Sequence, residues 1–209
     1  MTWTDPLATA FETGDVLTES NLSTYVLNNL LSLGHPLEAP TTADNDINTT
    51  AAETTLYSVT IPANKLGTNG SAEMFIKGDF LYNNNTADTI TIRAKFGGLT
   101  VLEPTAFTPS GGLNAVRFPY ELTVRIDNRG ATNAQLTSLA FTALTGSGAN
   151  GIGNVLRSPA ANLVIGNMQN TAAVNTTANQ SLLVSVQWSA SSANNSWRRR
   201  WARTLIGQN

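Results

Sequence analysis

The chain has 209 residues, 41% of them hydrophobic, which is enough to bury a full core without the disulfide or metal staples that small domains need. Only 12% are charged, while 29 Thr and 23 Asn make up a quarter of the chain, a balance that suits a Thr-rich sheet surface and speaks against a helical enzyme with Glu/Lys-dense faces. Cysteine is absent, excluding disulfides, thiolate nucleophiles and Cys-ligated metals, and the net charge of −2 conceals eight acids and no Lys or Arg in residues 1–53 against twelve bases and six acids in 54–209.

An acidic segment ahead of a basic body predicts contact between the two, within one chain or between neighbours. The opening Met1-Thr2-Trp3-Thr4-Asp5-Pro6 lacks the basic and apolar regions of a signal peptide, and no apolar run approaches the roughly 18 residues that span a bilayer. Synthesis in the cytoplasm and no membrane partner are the expectations.

In chain order, an extended arm carrying Trp3, Pro6, Phe11 and Gly14 precedes a stretch from Thr18 to Leu33 in which Leu22, Tyr25, Val26, Leu30 and Leu33 recur at three- and four-residue intervals. Thr18 or Ser20 supplies the N-cap, Gly34 the stop and Pro36 follows, so the spacing predicts one short amphipathic helix. A helix this short needs another surface, in its own domain or on a neighbouring subunit. Residues 1–37 are therefore read as arm and helix, 38–53 as linker and 54–209 as a β-domain.

From Thr54 the period becomes two. Strands are predicted at Thr54–Ile61, Ala72–Tyr82, Asp88–Phe96, Leu99–Glu103, Ala115–Asp127, Gln135–Leu144, Asn162–Ile165, Leu182–Ser189 and Trp197–Ile206. Ile90, Ile92, Ala94 and Phe96 alternate with Thr89, Thr91, Arg93 and Lys95, and Gly97-Gly98 then makes a two-residue hairpin turn. Pro119 signals an edge or a bulge; Asn83 to Asn85, Gly111-Gly112 and Gly146 to Gly153 read as loops. The fold class is mainly β, an antiparallel jelly-roll-like sandwich preceded by the arm and helix.

The residues that might carry chemistry are few. His35, the single histidine, sits between Gly34 and Pro36 just past the predicted helix, so a triad would have to be built from a loop residue beside a helix stop, which speaks against catalysis there. Asp44-Asn45-Asp46-Ile47-Asn48 imitates the start of a calcium loop but has Thr49 where Gly is needed and Thr55 in place of the bidentate Glu, so it reads as solvated linker. Gly146-Ser147-Gly148-Ala149-Asn150-Gly151 matches a dinucleotide fingerprint without the strand and helix it requires. Glu73, Asp79, Glu103 and Glu121 read as surface charge, and Asn-x-Ser/Thr triplets are expected by chance in so Asn- and Thr-rich a chain. No enzyme, cofactor or metal is expected.

Trp197, Arg198, Arg199, Arg200, Trp201 and Arg203 form the densest charge cluster. On an unbroken strand Trp197, Arg199, Trp201 and Arg203 share one face and Arg198 and Arg200 the other, so Trp and Arg can pack cation to π, with Trp188 across a hairpin. Structural or intersubunit packing is the first reading, and docking to an acidic protein surface the second. The body is too mildly basic for nucleic acid to be expected.

Trp3-Thr4-Asp5-Pro6, Phe11 to Thr18, Asn21-Leu22 and Leu27 to Leu33, followed by Leu56 to Gly70, the hairpin at Phe96-Gly97-Gly98 and Val186-Gln187-Trp188, resemble the virion structural proteins of tailed bacteriophages across most of the chain. The resemblance implies a homotrimeric jelly-roll knob on the virion surface, a capsid decoration or cement protein or a tail appendage, without enzymatic activity. Its partners would be copies of itself and the major capsid protein or another virion protein. Trp3, Phe11, Leu22, Tyr25, Val26, Leu30 and Leu33 would then form the subunit or capsid interface, whereas the docking cluster of Trp197, Arg198, Arg199, Arg200, Trp201 and Arg203 rests on the residues alone. The Trp/Arg-rich C-terminus departs from the family pattern. The alternative is a tail receptor-binding module recognising host glycan, with Tyr82 and Asn83 to Asn85 as its one aromatic and amide cluster.

Overall fold

The computed structural model describes residues 35–36, 40–42, 44–48, 50–83, 88–109, 117–146 and 161–207. The predicted helix, with Trp3, Phe11, Leu22, Tyr25, Val26, Leu30 and Leu33, lies outside them, as do Gly111-Gly112 and 147–153 of the predicted loops.

Eleven strands are described: β1 (His35–Pro36), β2 (Asn45–Asn48), β3 (Thr54–Ile61), β4 (Ser71–Tyr82), β5 (Ile90–Phe96), β6 (Leu99–Leu102), β7 (Arg117–Asn128), β8 (Gln135–Gly146), β9 (Ala161–Ala172), β10 (Gln180–Trp188) and β11 (Asn195–Gly207). One sheet runs β1-β11-β4-β7-β8-β9 with β2 also on β11; the other runs β3-β10-β5-β6. All pairings between named strands are antiparallel. The mainly-β, sandwich-like expectation is met.

The core follows from alternation. Every second residue of β5 and β7 is buried, as in β4 except at Gly78, and Ala72, Met74, Ile76 and Phe80 on β4 face Leu56, Ile61, Ile92 and Phe96 of the second sheet in one hydrophobic cluster. Each large side chain so enclosed contributes about 1.5–3 kcal/mol. The hairpin between β5 and β6 turns on Gly97 and Gly98 at φ 58° and 82°, the left-handed pair that a two-residue turn of this kind demands. Pro119 sits in β7 opposite Asp79 of β4, but β8 first pairs with β7 at Tyr120, so the missing N–H falls where β7 is locally an edge.

Three elements differ from expectation. The segment read as solvated linker contains β2, because Ile47 is buried and Asn45 Nδ2 donates to the carbonyls of Thr55 (3.3 Å) and Leu56 (3.1 Å). β9 is twelve residues long rather than four, its pairing with β8 running without a break through polar Asn167, Gln169 and Asn170. β11 carries a bulge: Arg199 pairs with Gly78 and Trp201 with Lys77, leaving Arg200 as the extra residue.

At one end of the sandwich, three loops are tied by buried polar side chains. Gln135 Nε2 donates to Asn128 Oδ1 (2.8 Å) and to the carbonyls of Val174 (3.1 Å) and Thr132 (3.2 Å), while its Oε1 accepts the Val174 N–H (2.8 Å). Asn128 Nδ2 in turn reaches the Gly67 carbonyl (2.6 Å) and Thr176 Oγ1 (3.0 Å).

Candidate functional site

The Arg200 bulge redistributes the Trp/Arg cluster. With one residue unpaired, side-chain parity inverts between Trp197 and Trp201, so the two rings lie on opposite faces of the sheet and the single-face expectation fails. Trp197 is fully buried, its ring stacked on Phe80 (centroids 5.1 Å) and tilted against Tyr120 (4.6 Å). It is a core residue and is closed to docking. Trp188 belongs to the other sheet, where it stacks on Tyr82 (6.1 Å) rather than on Trp197.

The arginines divide accordingly. Arg199 points inward, donates to the Leu56 carbonyl (3.1 Å) and holds its guanidinium 5.5 Å from the Tyr57 ring centre, a cation–π contact between the sheets. Arg198 meets Asp46 across the β2 pairing, and Arg200 reaches Asp44 (2.6 Å) and Asp79 (2.8 Å). Asp79 also takes Arg117, which donates onward to Ser196 Oγ (2.7 Å). Burial on its own would raise the Asp79 carboxyl, but the Arg117 and Arg200 hydrogen bonds outweigh it and hold the group below its ordinary value. Trp201 and Arg203 are half-buried on the outer face of β11, opposite Lys77 and Phe75.

A second cluster lies on the outer face of the smaller sheet. Residues 50–53 cross it: Gln187 Nε2 donates to the Ala51 carbonyl (3.0 Å), and Glu53 accepts Ser185 Oγ (2.5 Å) and pairs with Lys95 (2.5 Å) and Arg93 (3.5 Å). Arg93 also forks onto Glu103 (2.7 Å). The Lys95 and Ser185 hydrogen bonds keep the Glu53 carboxyl low. Thus three of the acids from residues 1–53, Asp44, Asp46 and Glu53, meet the basic body inside one chain.

None of the carboxylates weighed from the sequence faces another. Asp79 meets arginines, Glu103 meets Arg93 and Glu121 meets Lys77 (2.8 Å). His35 is in β1, opposite Ile206. Among the described residues no three His, Asp or Glu side chains are grouped as metal ligands. Tyr82, the aromatic of the glycan reading, is 4% exposed, its face taken by Trp188. Sequence reasoning missed the strap at 50–53 and its ties to Ser185 and Gln187, because nothing local in Ala51-Ala52-Glu53 signals a partner more than a hundred residues away.

No family model and no curated protein matches the chain. Among solved structures it is similar to a legume lectin-like domain from Entamoeba histolytica, at 11% identity over 71% of this chain and 74% of that one, with a TM-score of 0.24. A likeness that loose carries no inference.

Proposed function

We propose that the chain is a non-enzymatic structural protein of a virus particle, of the tailed-phage kind its sequence resembles, acting as a capsid decoration or cement protein. The observation that carries this reading is the nesting of the strand pairs. With β1 set aside and β8 and β9 taken as an inserted hairpin, the pairs β2·β11, β3·β10, β4·β7 and β5·β6 join first to last, second to second-last and so inward, which supports the winding of an eight-strand jelly roll. Capsid proteins use that architecture recurrently. The ionic clusters fit a scaffold as well, since their carboxylates are held by cations and not set against one another for acid–base work.

The receptor-binding alternative has less support, because a sugar platform needs an open aromatic face and that of Tyr82 is covered. On the leading reading, residues 1–34 attach the sandwich to the particle, and binding only the assembled shell stabilises it by mass action. Deleting residues 1–34 leaves β1 and β2 in place. The truncated protein is expected to fold yet not to co-sediment with particles lacking the native copy; undiminished co-sedimentation would overturn the anchoring role.

A further inference from the structure

Antiparallel sheets expose unpaired backbone at their edge strands, and proteins that stay single blunt those edges with charge, proline, bulges or cover. Three of the four edges here are treated in that way. The β1 and β2 edge is broken into pieces of two and four residues, with Pro36 in one, Pro40 between them and Asp44 and Asp46 flanking or within the other. On β3, the Thr55 and Leu56 carbonyls are already taken by Asn45 Nδ2 and by Arg199 Nη1 (3.1 Å). β6 has four residues and is followed closely by Pro104.

β9 has one such tie, near its end, where Asn170 Oδ1 accepts the Thr171 N–H (2.9 Å), and none of the other devices. It is twelve residues long and in unbroken register with β8, with no bulge and no proline between Ala161 and Ala172. It also carries no charge, and no Asp, Glu, Lys, Arg or His occurs anywhere from Ser158 to Trp197. Among the described residues no backbone hydrogen bond reaches its outer edge. A neutral strand can lie beside its own copy without the like-charge repulsion that a charged edge would bring.

We propose that β9 is an assembly edge that pairs antiparallel with β9 of a second copy of this chain, joining two large sheets into one across a two-fold axis. Such a contact is isologous and closed, and twelve paired residues supply on the order of ten backbone hydrogen bonds. The inference stands apart from the virion reading, since a dimer by this edge is expected whatever the protein attaches to.

The test is sedimentation equilibrium of the full chain at about 50 μM, beside a double variant Gln169→Lys with Thr171→Lys, which puts gatekeeper charges on exposed positions of β9. The wild type is expected at the mass of two copies and the lysine variant at half that, with an unchanged far-UV spectrum. Mixing the lysine variant with its Gln169→Glu, Thr171→Glu counterpart should restore the pair. A single-copy wild type, or a dimer indifferent to the lysines, overturns the proposal. A three-copy mass also overturns it while supporting the trimer that the resemblance implies. Should the variants fail to fold, hydrogen exchange of the wild type decides the question: β9 amides gain protection with concentration if the edge pairs, and are indifferent to it if not.

Discussion

At the scale of single residues, three side chains or their absence set what the sandwich tolerates. A Cβ at Gly78 would stand 2.0 Å from the Arg198 carbonyl oxygen and 2.7 Å from Tyr120 Oη, so Gly78→Ala must push β4 and β11 apart and is expected to cost about 3 kcal/mol or more in urea denaturation. Gln135 satisfies three acceptors and one donor in a dry site. Gln135→Leu strands them and should lower stability by about 2–3 kcal/mol, whereas a loss under about 0.5 kcal/mol would mean that water reaches that end of the fold. Asp79 titrates below its unfolded value, so its contribution is complete above about pH 4 and disappears as pH falls through the folded value. The urea midpoint should therefore hold steady from neutrality to about pH 5 and drop below about pH 4. Asp79→Asn should start about 1–2 kcal/mol lower at pH 7 and show a shallower acid limb.

Elements were legible in the sequence in proportion to how much of their stabilisation is local. β5 announces itself by strict alternation and the Gly-Gly turn that follows it, and the bounds of β3 and β5 are close to the predicted ones. β2 offers only Ile47 as an apolar residue and is a strand because β11 lies beside it, so no window of sequence could show it. The outer half of β9 is hidden by Asn and Gln, which a two-sided polar edge admits. The bulge at Arg200 is equally silent, since Arg-Arg-Arg fits a regular strand as well as a kinked one. The same silence is why the sequence places Trp197 and Trp201 on one face when the structure puts them on opposite ones, and why contact between the acidic segment and the basic body is legible but not the partners, Asp46 with Arg198 and Asp44 with Arg200. Deleting Arg200 makes the pairing regular while leaving Trp197, Ala202, Thr204 and Ile206 on the inner face, because Arg199 and Trp201 already pair with the adjacent Gly78 and Lys77. The deletion variant is expected to keep its near-UV aromatic signal and cooperative melting and to lose only the Arg200 pairs with Asp44 and Asp79; loss of the cooperative transition would show that the bulge itself is required.

For the molecule as a whole, the nested pairing means that its ends are joined before its interior is sealed. Arg198 and its partner Asp46 stand 152 residues apart, and among the described residues β3 has β10 as its one sheet neighbour. On a ribosome adding roughly 5–20 residues per second, the apolar face of β3 waits about 6–25 s for β10 to emerge. Folding of this chain thus follows a long exposure and is slow for its size, because so many contacts are distant in sequence. Nascent chains stalled short of β11 would offer protease and chaperone an open sheet, and release of the final strand would be the step that commits the protein to its shape.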